Sequence, residues 1–429
     1  MEKKRILENG TELYSYHSDT AHSYFLSLFL RAGTMYERDG ECGITHFLEH
    51  VTIRNINKLM GGELYRLLDR EGIEFNASTY GELVQFYLSG APDTLPTAAK
   101  ILSELFRPIV LTRDEINAER GRIKAEIREL DETSSLASFT ASMVYRGTTL
   151  ARQITGTLGD VTKITASRLE EYRRRVFTRE NLFFYISGAF SEDDLDKISE
   201  ILGAAVLGEG EPHTNIAPVP EKFGRREASI FVKNADFTKV RFTFDLDMSR
   251  VGVAESDLLY EYLLGGYNSK LFIELSERLG LVYDLSGSTE RYKNIGSFGF
   301  SFEIRESKLY LALEMIIDIL NSVKANPPRE EECMKAGFVK NAYMLLDDPR
   351  ELNFTLAYDN HILDLGYSSL DDRIAAYARL DGEDLSRTAR ELFRTDNLTL
   401  TVKGNKNRIK AEQITRILAA LDGGKKDDC

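Results

Sequence analysis

The chain has 429 residues, of which 42% are hydrophobic and 29% charged, as expected of a globular protein with more than one domain. Its net charge of −13 argues against a nucleic-acid partner, because phosphates would be repelled, and weakly favours basic substrates. The N-terminal sequence is not typical of a secretory signal, we expect no membrane-spanning segment because no apolar stretch is long enough, and the three cysteines are scattered. We therefore expect a cytoplasmic protein with no membrane partner.

The first long predicted strand, Tyr24–Ala32, is apolar almost throughout, which indicates a strand that is covered on both faces. The helix predicted after it contains the pentapeptide His-Phe-Leu-Glu-His at positions 46–50. Positions i and i+4 of a helix lie on one face, so His46 and His50 can offer two imidazole nitrogens to one metal ion. Glu49 can reach a water molecule on that metal. The H-x-x-E-H order is the inverzincin signature; the alternative is a pair of surface histidines beside a solvated glutamate.

A zinc site for hydrolysis also needs a third protein ligand and an open fourth position for water. Residues 114–130 are predicted to form a helix, because acidic residues open the segment and isoleucines recur at helical spacing. Glu119 and Glu126 lie seven residues apart on this helix, about two turns, so they share a face. Such pairs are usually charged helix surface, so the spacing alone leaves the third ligand open.

The remaining elements of the first half are predicted in the order helix (Gly62–Glu71), strands (Glu74–Ala77 and Val84–Ser89) and helix (Leu95–Phe106). Residues 207–224 contain three of the nine prolines and no apolar period, which predicts a linker. The second half repeats the first as strand (Lys239–Leu246), helices (Glu255–Leu264 and Lys270–Leu279), strands (Tyr283–Ser288 and Ser297–Ile304) and helix (Lys308–Lys324).

This repetition predicts two homologous domains, residues 1–206 with the metal motif and residues 225–429 without it, and therefore one metal ion per chain. The order of elements predicts the α+β class, with each domain a mainly antiparallel sheet and its helices packed on one face. Two such domains facing each other would enclose a chamber.

These segments together resemble the pitrilysin/insulinase-type zinc metallopeptidases, in the half-length form typified by mitochondrial processing peptidase. That family places a glutamate ligand about 75 residues after the second histidine and another essential glutamate seven residues before that ligand; Glu126 and Glu119 match both positions. The segment Gly-Ile-Glu-Phe-Asn-Ala-Ser-Thr at 72–79 is similar to the family's Gly-x-x-x-Asn-Ala-x-Thr segment. The resemblance covers nearly the whole chain, since Ser269–Gly287 carries a further matching stretch.

The resemblance implies a zinc endopeptidase in which His46, His50 and Glu126 bind Zn²⁺. Glu49 would take a proton from the attacking water and return it to the leaving amine. Glu119 would orient a histidine or hold the helix. The alternative, in which Glu119 replaces Glu126 as the ligand, fits the spacing less well.

The resemblance further implies that a peptide adds as a strand to the edge at Phe75–Thr79, with Asn76 and Ala77 touching its backbone. The alternative for Asn76 is an ordinary turn or strand-edge residue. Related peptidases carry an arginine and a tyrosine seven residues apart that bind substrate. This chain keeps Tyr283 but has Ser276 at the arginine position, and serine supplies neither the charge nor the forked donors.

Because half-length members of the family often work as two-chain assemblies, we expect a heterodimer. A homologous partner that lacks the zinc motif would supply the Arg/Tyr pair. The alternative is a homodimer that manages without the arginine or uses Arg278. A second function class is a non-catalytic assembly subunit of the same fold, against which the intact metal and catalytic positions argue.

Overall fold

The computed structural model describes residues 1–133, 135–226, 229–329 and 331–423, with the backbone alone at 131–133, 135, 229, 283 and 331–334. The chain forms two compact units. The first unit comprises Met1–Thr133, Arg152–Asn215 and Ala342–Leu370, and the second comprises Ser134–Ala151, Ile216–Asn341 and Asp371–Cys429.

The strands form one sheet in each unit. In chain order they are β1 (Lys3–Ile6), β2 (Glu12–His17), β3 (Tyr24–Leu30), β4 (Glu74–Thr79), β5 (Val84–Gly90), β6 (Leu182–Gly188), β7 (Ser229–Asn234), β8 (Thr238–Asp247), β9 (Val282–Arg291), β10 (Ile295–Ile304) and β11 (Leu398–Gly404). Within the described residues the first sheet has the order β1-β2-β6-β3-β5-β4 and the second the order β7-β11-β8-β10-β9. The pairs β2–β6 and β7–β11 are parallel and the other pairs antiparallel, which confirms the predicted mainly antiparallel α+β class.

The helices follow in chain order as α1 (Ile44–Leu59), α2 (Leu64–Glu71), α3 (Leu95–Ser103), α4 (Arg113–Thr133), α5 (Ser135–Val144), α6 (Leu158–Lys163), α7 (Ala166–Val176), α8 (Glu192–Gly203), α9 (Val253–Leu263), α10 (Lys270–Phe272), α11 (Leu309–Ala325), α12 (Glu331–Tyr343), α13 (Pro349–Ala357), α14 (Leu370–Ala378), α15 (Gly382–Leu392) and α16 (Ala411–Ala419). In the described part of the chain, no helix combines the length and the apolar character needed to cross a membrane.

The central strand β3 is buried on both faces, as its apolar sequence predicts. All seven of its residues are buried. Leu26 and Leu28 belong to the main core that the sheet forms with helices α1, α3, α4, α7 and α8. Phe29 points to the other face, into a smaller apolar cluster with Leu352 and Leu356 of α13.

Helix α13 covers the second face of the first sheet. The side chain of its residue Asn353 donates to the carbonyl oxygens of Phe25 at 3.0 Å and Tyr185 at 3.1 Å, and accepts from the Ser27 hydroxyl at 2.8 Å. The expectation that helices pack on one face of the sheet is therefore incomplete. Most helices of the first unit pack on one face, and α13 covers the other face.

The second sheet is built in the same way. Phe242 and Phe244 of β8 are fully buried in a core with α9, α11 and α15, as the alternation of this strand predicts. On the other face, Thr140 of α5 shares a hydrogen bond of 2.6 Å with Thr401, and Tyr145 just after α5 donates to Glu290 at 3.0 Å.

The units are thus not the contiguous halves 1–206 and 225–429. The division at Asn215 and Ile216 falls inside the segment predicted as a linker, but each unit also includes one segment from the opposite half. The physical reason is that each sheet has a second face to cover, and a helix distant in sequence covers it.

One predicted helix differs in kind. The segment Lys270–Leu279 forms only a short α-helical turn and then a π-helix over Ile273–Glu277, where the Arg278 amide donates to the Ile273 carbonyl at 2.9 Å. Gly280, with φ +55°, ends the segment in a conformation that favours glycine.

Candidate metal centre

Helix α1, which carries the H-x-x-E-H motif, is fixed at its N-terminus by a buried carboxylate. Glu37 is 2% exposed and accepts hydrogen bonds from the amides of Gly43 and Thr45, each at 3.0 Å. These are donors that a helix N-terminus leaves without a partner inside the helix. Gly43 has φ +79°, and a Cβ there would lie 2.6 Å from the Thr155 carbonyl oxygen. The backbone conformation at the start of α1, just before His46, is therefore fixed by these contacts.

A further contact between buried side chains holds the start of this helix. The Thr45 hydroxyl shares a hydrogen bond of 2.6 Å with the hydroxyl of the fully buried Tyr172. Burial raises the pKa of Glu37 to about 7, although the hydrogen bonds from Thr45 and Gly43 favour its ionised form. A carboxyl group that titrates near neutral pH thus lies under the first turn of α1.

The two histidines of α1 meet Glu126 of α4. His46 Nε2 lies 3.5 Å from Glu126 Oε1, and His50 Nε2 lies 3.6 Å from Glu126 Oε2. Ligand atoms of all three residues lie within 4.8 Å of one another. These separations exceed a normal hydrogen bond. They match the spacing of about 3.3–3.6 Å between neighbouring ligands when a tetrahedral ion binds each at about 2.0–2.2 Å.

The protonation state of His46 suits metal binding. Burial, reinforced by the neighbouring His50, lowers the pKa of His46 to about 3, so its ring is neutral at physiological pH. A neutral imidazole is the form that binds a metal ion. Its Nδ1 is buried with no hydrogen-bond partner among the described residues, while its Nε2 is directed at Glu126. The donor set therefore fits a zinc ion.

Glu49 lies beside the cluster without belonging to it. Its Oε2 accepts a hydrogen bond from the hydroxyl of Thr79 at the end of β4. Burial and the charge of Glu126 raise the pKa of Glu49, and the Thr79 hydrogen bond and His50 oppose that rise. In the described part of the structure only His46, His50 and Glu126 group as ligands, which leaves the Glu49 carboxylate available to act as a base.

Glu119 lies behind His50, outside the group formed by His46, His50 and Glu126. Its side chain is 3% exposed, and its Oε2 lies 3.6 Å from His50 Nδ1, on the opposite edge of the ring from Glu126. Arg54 donates to Glu119 at 2.5 Å and Arg122 donates to it at 3.0 Å. Glu119 is therefore placed to orient the ring of His50. Glu126, in contrast, lies close to the Nε2 atoms of both histidines.

The predicted substrate-binding residues lie on the edge strands of the two sheets, as the described residues define them. Asn76 and Ala77 belong to β4, the edge strand of the first sheet, and Asn76 Oδ1 accepts from the Ala77 amide at 2.8 Å. The backbone of Tyr283 lies in β9, the edge strand of the second sheet, and its side chain lies outside the described residues. Arg278 is 67% exposed and donates to Glu274 at 2.9 Å. The roles of these residues stay predictions.

The sequence analysis missed three residues of this site: Glu37, Arg54 and Thr79. Thr79 stands in the segment that resembles the family motif, so its position was available but its contact with Glu49 was not. Arg54 follows His50 by four residues and therefore shares the metal-binding face of α1. Glu37 has no local signal, because a turn before α1 brings it under the helix.

Comparisons with known proteins agree with this geometry. The sequence profile described as "Insulinase (Peptidase family M16)" matches residues 13–158, which include the metal cluster. The profile described as "Peptidase M16 inactive domain" matches residues 163–336. The two profiles together span most of the chain.

Individual relatives are distant in sequence and close in fold. An uncharacterised zinc protease of Streptomyces coelicolor is 23% identical over 403 residues, 91% of this chain and 87% of its own length. The beta subunit of the bovine (Bos taurus) mitochondrial-processing peptidase is 27% identical over 196 residues, 45% of this chain and 40% of that protein. The crystal structure of a protease from Helicobacter pylori matches with a TM-score of 0.83 at 18% identity, over 94% of this chain and 99% of that one. With both profiles in place and relatives named as zinc proteases, the chain belongs to the insulinase family of peptidases, M16.

Proposed function

We propose that this chain is a zinc-dependent endopeptidase that cleaves peptides or unfolded segments. The observation that carries the proposal is the convergence of His46, His50 and Glu126 beside a carboxylate, Glu49, that is not part of the ligand group. The names of the relatives support a zinc protease in general. A cytoplasmic location belongs to the same proposal and is supported by the few, scattered cysteines.

The first unit would hold one zinc ion per chain through His46 Nε2, His50 Nε2 and the Glu126 carboxylate. When bound there, zinc supplies a Lewis acid that polarises a carbonyl group and lowers the pKa of water to roughly 7. The buried, neutral ring of His46 supports this assignment, because a neutral imidazole does not have to release a proton before it binds a metal ion.

Glu49 would accept the proton of the attacking water and pass it to the leaving amine. Burial raises the pKa of Glu49 above its ordinary value, which favours the step in which the carboxylate binds the proton. The hydroxyl of Thr79 would keep the carboxylate in one rotamer. Glu119, held by Arg54 and Arg122, would fix the ring of His50 so that its Nε2 stays directed at Glu126.

The peptide would bind as an added strand along β4. An edge strand leaves one row of backbone donors and acceptors unpaired, which a peptide can match with regular hydrogen bonds. Asn76 and Ala77 lie in this strand, and Thr79 joins its end to Glu49. A peptide paired with this edge would therefore run next to the proposed base. Tyr283 is a further substrate-binding residue in this proposal, on the basis of the family resemblance.

We further propose that the active form is a heterodimer whose partner supplies an Arg/Tyr pair. Ser276 stands where related peptidases have the arginine, and Arg278 is exposed and already paired with Glu274. The alternative is a homodimer that works without that arginine. The isolated chain should bind zinc but cleave peptides poorly until a homologous partner without the zinc motif is added. Full activity of the isolated chain would exclude the heterodimer.

The central experiment combines metal analysis with cleavage of a peptide library followed by mass spectrometry, on the chain alone and with its partner. We expect one zinc per chain and defined cleavage products that disappear in Glu49→Gln. A chain that binds no zinc, or that binds zinc and cleaves nothing under either condition, would contradict the proposal and favour a non-catalytic assembly subunit.

A further inference from the structure

The contact between α1 and α4 continues beyond the metal centre as a row of charged pairs. One face of α1 carries polar residues at steps of four: His46, His50, Arg54 and Lys58. The facing side of α4 carries Glu126, Arg122, Glu119 and Glu115. Arg54 pairs with Glu119 at 2.5 Å, and Lys58 pairs with Glu115 at 2.5 Å. The metal cluster thus lies at one end of this row and a cationic surface at the other.

An open pocket of about 380 Å³ lies at this cationic end. Its lining includes Arg54, Lys58 and Arg122, together with Tyr65, which is 53% exposed. Gly61 and Gly62 leave free space in the pocket, since a Cβ at either position would meet nothing within 4 Å. The pocket is therefore accessible, and its lining combines these hydrogen-bond donors with one carboxylate, that of Glu115. We call it the Lys58 pocket.

The charges around the Lys58 pocket do not balance. Three cations, Arg54, Lys58 and Arg122, share two carboxylates, Glu115 and Glu119. Each cation donates to these carboxylates through a single nitrogen, although an arginine has five N–H groups and a lysine three. One positive charge and several donors are left over in a protein whose net charge is −13. A third carboxylate would complete the network.

The pocket lies within reach of a peptide bound at the metal centre. The helix rises about 1.5 Å per residue, so Arg54 and Lys58 lie about 6 and 12 Å along α1 from His50. An extended peptide advances about 3.3 Å per residue, so this distance corresponds to about two to four residues. We propose that the Lys58 pocket is a subsite for a carboxylate of the substrate, about two to four residues from the cleaved bond. This inference rests on the proposed peptidase function.

The carboxylate could be an Asp or Glu side chain or the free C-terminus of the peptide. The test uses a quenched fluorescent peptide in which Asp, Asn and Lys are placed in turn at each of four positions on either side of the cleaved bond. A parallel pair carries a free or an amidated C-terminus. Cleavage by the zinc-loaded chain with its partner gives kcat/KM, and fluorescence anisotropy gives the affinity of the same peptides without depending on hydrolysis.

We expect one position at which Asp raises kcat/KM and affinity about tenfold over Asn, as a charge-assisted hydrogen bond would. Lys there should lower both. Lys58→Gln should reduce the Asp preference to within about twofold. The matched control is Lys100→Gln, which removes the same charge from an exposed site on α3 and should keep the preference. A preference for the free over the amidated terminus instead identifies the C-terminal carboxylate as the ligand.

Two outcomes separate this inference from the proposed function. Peptides that are cleaved with no preference for Asp or a free C-terminus, in either measurement, overturn the subsite and leave the peptidase proposal standing. Peptides that are not cleaved but bind through Lys58 with the Asp preference uphold the subsite and overturn the peptidase proposal. A preference that Lys100→Gln removes as fully as Lys58→Gln would show a general charge effect and overturn the subsite.

Discussion

The two units share one strand order but differ in the chemistry of the helix that follows the central strand. The order β2-β6-β3-β5-β4 in the first sheet corresponds to β7-β11-β8-β10-β9 in the second, and each sheet has its parallel pair at the same place. Helix α1 follows β3 as α9 follows β8. This correspondence supports the architectural duplication that the sequence predicts.

Helices α1 and α9 occupy equivalent places in the two units but carry different side chains. On α1 the cluster-forming residues are His46 and His50, whereas α9 contains no histidine and buries Leu258 and Leu259 completely. Across the described residues, the metal-ligand grouping occurs in the first unit alone. The difference teaches that the fold supplies a scaffold and that a few side chains on one helix decide whether a group of potential metal ligands forms there.

The largest expected effect comes from removing a ligand, which tests whether metal binding resides in the first unit. Glu126→Gln should lose zinc and peptidase activity together, because two histidines alone leave the site without its carboxylate. Zinc content and cleavage rate are the measurements. Glu129→Gln, three residues further along α4, is the control and should keep both. Retention of one zinc per chain by Glu126→Gln would place the metal elsewhere and break the contrast between the units.

The next effect separates metal binding from catalysis on α1. Glu49→Gln removes a base but no ligand, so zinc should remain bound while kcat falls by about 10²–10⁴-fold. The amide can still accept the hydrogen bond from Thr79, which makes the change nearly isosteric. Zinc content and kcat measured on one sample decide the outcome. Near-normal turnover with zinc bound would show that another group is the base.

The grouping of His46, His50 and Glu126 could be predicted from the sequence in large part because its geometry is local. The spacing of His46 and His50 follows from the pitch of a helix, and the seven-residue spacing on α4 places Glu119 and Glu126 on one face. Which of the two glutamates meets the histidines depends on how α4 packs against α1. The resemblance suggested Glu126, and the distances place Glu126 nearer to both Nε2 atoms.

Features that depend on distant contacts could not be predicted. The helices α5 and α13 cover sheets to which the opposite half of the chain contributes most strands, and no local pattern carries that information. The π-helix at Ile273–Glu277 depends on hydrogen bonds shifted by one residue, which leave the apolar spacing nearly unchanged. Glu37 would be taken from sequence for an exposed acidic residue, yet it is buried under α1.

A smaller effect is expected from the residue that orients His50. Glu119→Gln should keep zinc bound but lower its affinity or the activity by about 10–100-fold, because the amide is neutral and changes the contact with His50 Nδ1. Zinc affinity by competition with a chelator and kcat/KM are the measurements. Glu129→Gln, on the same helix and outside the Lys58 pocket, is the control for the loss of a carboxylate on α4. Equal effects from both variants would argue against a specific role for Glu119.

The smallest effect concerns the start of α1, where the two units again differ. Gly252 before α9 has an ordinary φ of −73°, and among the described residues no side chain accepts hydrogen bonds at the start of α9 as the buried Glu37 does at the start of α1. The pKa of Glu37 rises from 4.5 to about 7 in the folded state, because burial disfavours its charge. The folded protein therefore retains a proton that the unfolded chain has already released between these two pH values.

It follows that the contribution of Glu37 to stability is greatest below the unfolded pKa, falls as pH rises through this window, and is constant above it. The glutamine in Glu37→Gln cannot titrate. Between pH 5 and pH 7.5 the native chain should therefore lose roughly 2 to 3 kcal/mol of unfolding free energy relative to the variant. Urea unfolding at both pH values measures it on metal-free protein, so that metal binding does not contribute. Glu71→Gln, at the end of α2, is the control. A difference that does not change with pH would mean that Glu37 is ionised throughout, with its hydrogen bonds from α1 outweighing its burial.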